Sequence, residues 1–187
     1  MNIIIRTFNL LLFPDKEWKL IAAETNSRKK VYVRFVLPWL CLISIASIIG
    51  TWLTASRELY SAAYVLYKIA LLWISLTSGL YLSVFVITEI MAHRLGTKNH
   101  ALSFALMAYS SGAAYLTITI VALFPFFSEL LVLAFYTFYL YWRGIPYLIQ
   151  IEDQKRLMYG LLSFIIVVII YFIMFVFFGN VLKAILI

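Results

Sequence analysis

The chain has 187 residues, of which 65% are hydrophobic and 12% are charged, whereas about a quarter of the residues are charged in a typical soluble protein. A water-soluble fold of this size could not bury so much apolar surface, so the composition excludes an ordinary soluble domain and predicts an integral membrane protein. The net charge of +7 lies at the ends of apolar stretches, which favours anionic lipid headgroups over nucleic acid as its counter-charge.

The N-terminal residues 1–30 are expected to form a cytoplasmic or interfacial segment, ahead of a transmembrane domain over residues 31–187. The apolar residues 2–13 are too few to cross a hydrocarbon core of about 30 Å. Pro14 then begins a short amphipathic helix. Two interpretations of this helix are open: it lies in the membrane interface with Trp18 at headgroup depth, or it packs on the end of the helix bundle.

Long uncharged stretches predict five transmembrane helices, over about residues 34–56, 64–90, 101–124, 126–142 and 157–182. Four of them follow from length alone. The fourth in order depends on Pro125, because the uncharged run that begins at Ala101 is too long for one crossing and proline ends a helix. The predicted fold is therefore all-α, a bundle of five transmembrane helices with a short interfacial N-terminal helix.

The five-helix arrangement divides the basic residues unequally between the two sides of the membrane. Of the 15 lysines and arginines, all but three fall on the side of the N-terminus, and the three exceptions are Arg57, Lys68 and Lys183. Because cytoplasmic segments are enriched in Lys and Arg, we expect the N-terminus in the cytoplasm and the C-terminus outside.

A candidate surface for lipid or protein contacts lies on this basic side. Its expected members are Trp18, Lys16, Lys19, Arg28, Lys29, Lys30 and Arg143. Anionic membrane lipids are the expected partners, a protein partner or a second copy of the chain is an open alternative, and nucleic acid is not expected. We also expect no metal, no cofactor and no catalytic residue, because His93 and His100 have no acidic cluster beside them and the sequence has no phosphate loop or nucleophile elbow.

The third predicted helix places hydroxyl groups and small residues together near its middle: Tyr109, Ser110, Ser111 and Gly112. One interpretation is a polar pocket or a broken helix beside a small cavity, to which Glu89 contributes, and which would serve a small transporter or channel. The other is close helix packing through Gly112, with Glu89 extending from its helix end to the headgroups.

The order of several motifs resembles the Yip (Ypt/Rab-interacting protein) domain family of small membrane proteins. The motifs are Phe13-Pro14 with Trp18 and Glu24, then Phe124-Pro125, and finally YLYWRGIPYL over residues 139–148 followed by Lys155 and a last apolar helix. The resemblance implies a five-helix bundle with a cytosolic N-terminus and an outside C-terminus.

In eukaryotic members of that family, the Yip domain is tied to Rab GTPase binding and vesicle traffic. The resemblance is closer to prokaryotic members, because the sequence has neither the long N-terminal region of the eukaryotic ones nor its Asp-Leu-x-Gly-Pro element. It implies a non-enzymatic scaffold or trafficking-like, membrane-organising factor of a prokaryotic cytoplasmic (inner) membrane, acting through lipid and protein contacts.

Overall fold

A computed structural model describes residues 3–24, 27–54, 62–95, 99–149, 151 and 153–186, without the side chains of residues 62, 91–95, 153 and 186. All regular secondary structure in these residues is helical, as the sequence predicts. We number the α-helices in chain order as α1 (Ile3–Leu12), α2 (Pro14–Ala23), α3 (Arg28–Thr54), α4 (Ala62–Leu95), α5 (His100–Leu123), α6 (Tyr136–Leu148) and α7 (Asp153–Leu186). Within α3, Tyr32–Val36 is a π-helical turn. A 3₁₀-helix, Pro125–Phe135, precedes α6.

Several helices begin at residues that satisfy or remove unpaired backbone N–H groups. Pro14 opens α2, where the N–H that proline lacks would have had no partner. The Ser27 hydroxyl accepts a hydrogen bond from the Lys30 N–H at 3.2 Å at the start of α3. Asn99 Oδ1 accepts from the N–H groups of Ala101 and Leu102 at 3.1 Å each, which fixes the start of α5.

Within the described residues, four helices are long and apolar enough to cross a membrane. Their qualifying stretches are Arg28–Thr54, Ala63–Ile90, His100–Leu123 and Gln154–Ile185. These agree with the four predicted spans that rest on length, and the chain is an all-helical protein of the membrane class. The helix α4 continues to Leu95, so part of the loop expected after residue 90 is helical instead.

The predicted span over residues 126–142 has a different form. It is not one long α-helix but the 3₁₀-helical segment Pro125–Phe135, which is kinked at Phe127 (φ −101°, ψ 37°), followed by the 13 residues of α6. The chain leaves helical geometry at Phe124 (φ −126°, ψ 80°), so Pro125 does end α5. The 3₁₀-helix then packs along the second half of α5, and α6 packs along the first half of α5. This segment therefore returns beside the whole length of α5.

The spanning helices pack in two main pairs, α4 with α7 and α3 with the second half of α5. In the second pair the two backbones touch at Gly50, where a Cβ atom would lie only 1.9 Å from the carbonyl oxygen of Ala122. Small residues allow such close approach where no hydrophobic effect drives helices together.

The two short helices α1 and α2 pack on the bundle instead of lying apart from it. Trp18 is fully buried, and a Cβ atom at Gly144 of α6 would lie 2.7 Å from its Cε2 atom. Of the two interpretations of α2, this is the one in which the helix packs on the helix bundle. Trp18 is therefore inside the protein and not at the headgroup depth that the other interpretation gave it. The tight fit of the indole against a glycine explains why this side chain does not face the membrane surface.

Candidate functional site

The most highly charged group inside the bundle is centred on Arg6 of α1, whose surface is only 7% exposed. Its Nε atom donates a hydrogen bond to Glu17 Oε1 of α2 at 3.1 Å. Its Nη1 atom donates to Glu24 Oε2 at 2.9 Å and to the Tyr109 hydroxyl of α5 at 3.0 Å, while Nη2 donates to the other Glu24 oxygen. We call Arg6, Glu17, Glu24 and Tyr109 the Arg6 cluster. It ties α1 and α2 to the third predicted transmembrane helix.

The sequence places these groups so that one arginine can reach both carboxylates. Glu17 and Glu24 lie seven residues apart, which is about two helical turns, so they face the same side. Glu17 is 2% exposed and also accepts a hydrogen bond from the Asn9 amide at 3.2 Å. A buried carboxylate of this kind is stable only with partners, and the cluster supplies them.

The cluster is held in its ionised form. Burial alone would lower the pKa of Arg6, but hydrogen bonds to Glu24 and Tyr109 and the nearby negative charge raise it above its ordinary value. The hydrogen bond from Arg6 in turn lowers the pKa of Glu24, against the opposing effect of burial. Guanidinium and carboxylate therefore stabilise each other's charge.

A polar cavity of about 160 Å³ opens beside the Arg6 cluster. Three basic residues line it, Arg6, Lys30 and Arg34, against one acidic residue, Glu24. The remaining lining is the apolar or aromatic surface of Ile3, Phe35 and Tyr109. The cavity therefore combines excess positive charge with an apolar edge, which suits the headgroup of an anionic lipid better than a soluble cation.

A second cavity, of about 390 Å³, lies on the opposite side of α5, between this helix, the 3₁₀-helix, α6 and α7. Its exposed surface is almost entirely apolar, although six of the lining residues carry hydroxyl groups: Ser111, Tyr115, Thr137, Tyr141, Ser163 and Tyr171. We call it the apolar cavity. Tyr115 and Ser163 are buried residues of this lining, and their hydroxyl oxygens do not face its open space.

The residues of the expected polar pocket do not share one pocket. Tyr109 belongs to the Arg6 cluster, and Ser111 lines the apolar cavity. Ser110 is fully buried, and Gly112 lies where a Cβ atom would be 3.1 Å from Phe35 and 3.4 Å from Thr7. Glu89 is paired instead with His100, with 3.2 Å between Oε1 and Nε2.

The helix α5 is nearly continuous at this point. Ser111 forms a one-residue turn, yet its N–H bonds the Met107 carbonyl at 3.0 Å and its carbonyl accepts from Tyr115 at 2.9 Å. Beside the turn, the Ala114 N–H donates to the Thr137 hydroxyl of α6 at 3.2 Å. A neighbouring side chain thus takes part in the backbone hydrogen bonding where the regular helix is interrupted.

The basic residues of the expected contact surface occupy two kinds of position. Four of them are exposed: Lys16, Lys19, Arg28 and Lys29. Lys30 is half-buried and lines the polar cavity. Arg143 is half-buried and forms an ion pair with Asp15 of α2, and the Tyr147 hydroxyl lies 3.3 Å from the other oxygen of that carboxylate.

Arg6, Glu17, Glu24 and Arg34 were not expected among the site residues. The sequence holds one signal for the first of them: Arg6 is the only charged residue in the apolar stretch 2–13. A single charge in such a stretch requires a partner once the stretch is buried. The partner carboxylates could not be identified without the fold, because α1 and α2 had to be packed against α5 first.

The chain is thus an all-helical protein of the membrane class. Its described residues include four long apolar helices and an N-terminal pair of short helices packed on them, with a polar and an apolar cavity on opposite sides of α5. Comparisons with models of protein families, with curated proteins and with solved structures gave no match.

Proposed function

We propose that this chain is a non-enzymatic, membrane-organising protein that binds anionic phospholipid headgroups through the basic face at its N-terminus. The polar cavity carries the proposal, because the three basic residues that line it, Arg6, Lys30 and Arg34, exceed the two carboxylates that pair with Arg6, those of Glu17 and Glu24. Each basic residue close to an anionic membrane surface contributes about 1 kcal/mol of attraction. Arg34 is exposed beside the cavity and can reach a phosphate without leaving its helix.

The outer surface of α1 supports the same function. Ile4, Ile5, Phe8 and Leu12 are between 45% and 67% exposed, whereas Arg6, Thr7 and Leu10 face inward. A short helix with its apolar face outward is suited to lie against lipid chains. Ile3 lines the cavity at the start of α1, so a lipid could place its phosphate in the cavity and its chains along this face.

The proposal includes a five-span topology with the N-terminus in the cytoplasm of a prokaryotic inner membrane. The 3₁₀-helix has 11 residues and α6 has 13. Past the kink at Phe127, residues 128–135 and α6 extend together for about 35 Å at rises of about 2.0 and 1.5 Å per residue, enough to cross the hydrocarbon core. A crossing here places Arg143 on the same side as the N-terminus, which agrees with its ion pair to Asp15.

Lipid selectivity of the full-length protein tests this function. Purified protein in detergent is titrated with phosphatidylglycerol or phosphatidylcholine, and bound lipids are counted by native mass spectrometry. We expect phosphatidylglycerol to bind more tightly, and the variant Lys30→Gln with Arg34→Gln to weaken its binding by about thirtyfold, because two charges that each contribute about 1 kcal/mol are removed.

Lys183→Gln is the matched control, because Lys183 lies in the last turn of α7 and does not line the polar cavity. This variant should bind like the unaltered protein. Added salt should weaken phosphatidylglycerol binding and leave phosphatidylcholine binding unchanged. Equal affinity for the two lipids, or an equal loss in the Lys183→Gln control, would refute the proposal.

The transporter alternative has less support. Its polar residues are divided, with Tyr109 held by Arg6, Gly112 covered by Thr7 and Phe35, and Ser111 facing an almost wholly apolar cavity. The Yip-like role of a scaffold or trafficking-like factor fits the proposed lipid contacts, and a protein partner would dock on the same basic face.

A further inference from the structure

We infer that α1 and α2 form a wedge in one leaflet of the membrane, the leaflet on the side of the N-terminus, and that the protein accumulates where this leaflet is convex. The wedge makes one half of the protein broader than the other. This inference rests on the membrane-organising part of the proposed function. It is independent of headgroup binding, because it concerns the shape of the protein and not its charge.

The contacts of α1 with the bundle place this helix deep in the membrane. A Cβ atom at Gly112 would lie 3.4 Å from the Thr7 side chain, and Gly112 lies at the middle of the 24 residues of α5, about 18 Å from its start. The Leu11 carbonyl accepts a hydrogen bond from the Tyr136 hydroxyl at 3.0 Å. Tyr136 is the first residue of α6, also about 18 Å from the end of that helix at Leu148. The helix α1 therefore lies near mid-depth, although its 10 residues are too few to cross the membrane.

The helix α2 lies nearer to the membrane surface than α1. Its Trp18 packs against Gly144, which is only about 6 Å along α6 from Leu148. Its exposed residues include Lys16 and Lys19, whose long side chains suit the headgroup region. The two helices thus lie at different depths, between the middle of the bundle and its N-terminal side.

The exposed surface of α1 agrees with a position in hydrocarbon. All of its exposed residues are apolar: Ile4, Ile5, Phe8 and Leu12. The charge of Arg6 is turned inward and paired with two carboxylates, as a charge at this depth requires. Because the medium at this depth is lipid chains, the outer face of α1 displaces lipid from one leaflet only.

The other half of the bundle is narrower in the part of the chain that the structure describes. It contains the far halves of α3, α4, α5 and α7 and the 3₁₀-helix, whereas the N-terminal half contains α6 in place of the 3₁₀-helix and has α1 and α2 in addition. An α-helix with its side chains is about 10 Å wide, so two further helices widen this half substantially. Helices inserted into one leaflet are favoured where that leaflet is curved outward, since its headgroups are then further apart.

Depth measurement by spin labelling tests the position of α1. The chain has one cysteine, Cys41, which is exposed near the middle of α3 and gives the reference for mid-depth. In a Cys41→Ala background, a label on Phe8→Cys should be accessible to oxygen and protected from a water-soluble nickel chelate, as at Cys41. A label on Lys16→Cys should be accessible to the chelate.

Two outcomes of the labelling would overturn the inference. A Phe8→Cys label as accessible to the chelate as the Lys16→Cys label would place α1 at the surface. A Phe8→Cys label protected from both oxygen and the chelate would show that a second copy of the chain, and not lipid, covers α1.

Sorting between flat and curved membrane tests the wedge itself. The full-length protein, with a nitrobenzoxadiazole group on an N-terminal extension, is reconstituted into giant vesicles of phosphatidylcholine, and a tube is pulled outward from each vesicle. Dithionite outside the vesicle quenches the molecules whose N-terminus faces outward, so fluorescence before and after quenching gives the density of each orientation. We expect outward-facing molecules to be enriched several-fold in the tube and inward-facing ones to be depleted.

Two double variants form a matched pair for this experiment. Ile5→Ala with Phe8→Ala removes bulk from the lipid-facing side of α1, and it should weaken the preference for the tube. Phe172→Ala with Phe175→Ala removes similar bulk from the opposite half of α7, where the two residues are 69% and 53% exposed, and it should not weaken the preference.

Equal densities of the two orientations in the tube, or an equal loss of the preference in the two double variants, would overturn the inference. Because phosphatidylcholine carries no net charge, a failure of headgroup binding would leave these results unchanged. The loss of the wedge would likewise leave the selectivity for phosphatidylglycerol in detergent unchanged, so the two proposals fail separately.

Discussion

The two sides of α5 are packed in different ways. On the side of Tyr109 and Gly112, α1 fills the space and brings a charged arginine with it. On the side of Ser111 and Tyr115, the space between helices is left as a cavity. A charge in an apolar interior is costly without partners, so the first side is closely organised around Arg6. An apolar wall can be covered by lipid at little cost, so the second side does not need a protein partner.

The difference begins with the segments that cover each side. The N-terminal pair presents Arg6, Thr7 and Leu10 inward, and all three are buried. The segment Pro125–Phe135 is 3₁₀-helical with a kink at Phe127, and the 3₁₀ conformation has poorer hydrogen bonds than an α-helix. We therefore expect changes on the Arg6 side to destabilise the protein and changes on the cavity side to be tolerated.

The largest effect should come from Arg6→Met. The substitution leaves the Glu17 carboxylate buried without its ion-pair partner, and breaking a buried pair in this way costs about 3 to 5 kcal/mol. The free energy of unfolding, measured by SDS titration in mixed micelles, should fall by that amount.

A double variant, Arg6→Met with Glu17→Gln, provides the control for this first prediction. It removes the uncompensated negative charge, so stability should recover in large part. Glu24 does not need replacement because its carboxylate is 36% exposed and can turn to water. If the double variant is no more stable than the single one, Arg6 acts mainly through packing.

A smaller effect is expected when a small side chain on either side of α5 is replaced by leucine. Gly112→Leu must displace Phe35 and Thr7, and overpacking of this kind costs about 1 to 3 kcal/mol. Ala114→Leu extends into the apolar cavity, where there is room for three more carbon atoms. The thermal unfolding temperature should therefore fall for Gly112→Leu and stay nearly constant for Ala114→Leu.

Helix propensity does not account for that difference. Leucine is a better helix former than glycine by nearly 1 kcal/mol, so propensity alone would make Gly112→Leu the more stabilising of the two. Equal losses for the two variants would show that the two sides of α5 are packed alike, and the comparison drawn above would fail.

Much of the fold could be predicted from the sequence, because hydrocarbon imposes a simple rule on chain length and charge. The four long spans and the end of α5 at Pro125 follow from that rule. The 3₁₀ form of the fifth predicted segment does not, since its residues differ little in composition from those of an α-helix.

The site was harder to predict, because its residues come from distant parts of the sequence. Arg6 and Tyr109 are 103 residues apart, and no local pattern links them. The sequence left open whether Trp18 lies at the membrane surface or is packed on the bundle, because its contact with Gly144 depends on how α2 packs on α6. The cluster around Ser111 could be recognised as unusual, but its division between two sides of one helix depends on the neighbours.

The smallest of the three effects concerns the pH dependence of the Arg6 cluster. The Arg6 hydrogen bond, and less strongly the charges of Arg6 and Lys30, lower the pKa of Glu24 below its ordinary value of 4.5. A carboxylate whose pKa is lower in the folded than in the unfolded state stabilises the fold above the unfolded value, and that contribution is lost as the pH falls through the folded value. Unfolding temperatures of the unaltered protein and of Glu24→Gln should therefore differ at pH 7 and converge below pH 4.5.

The difference should be smaller than for Arg6→Met, because Glu24 is partly solvated and water screens its interaction with Arg6. A difference that persists unchanged into acid would mean that Glu24 contributes through its shape and neutral hydrogen bonds, and the polar side of α5 would then depend on Glu17 alone for its negative charge.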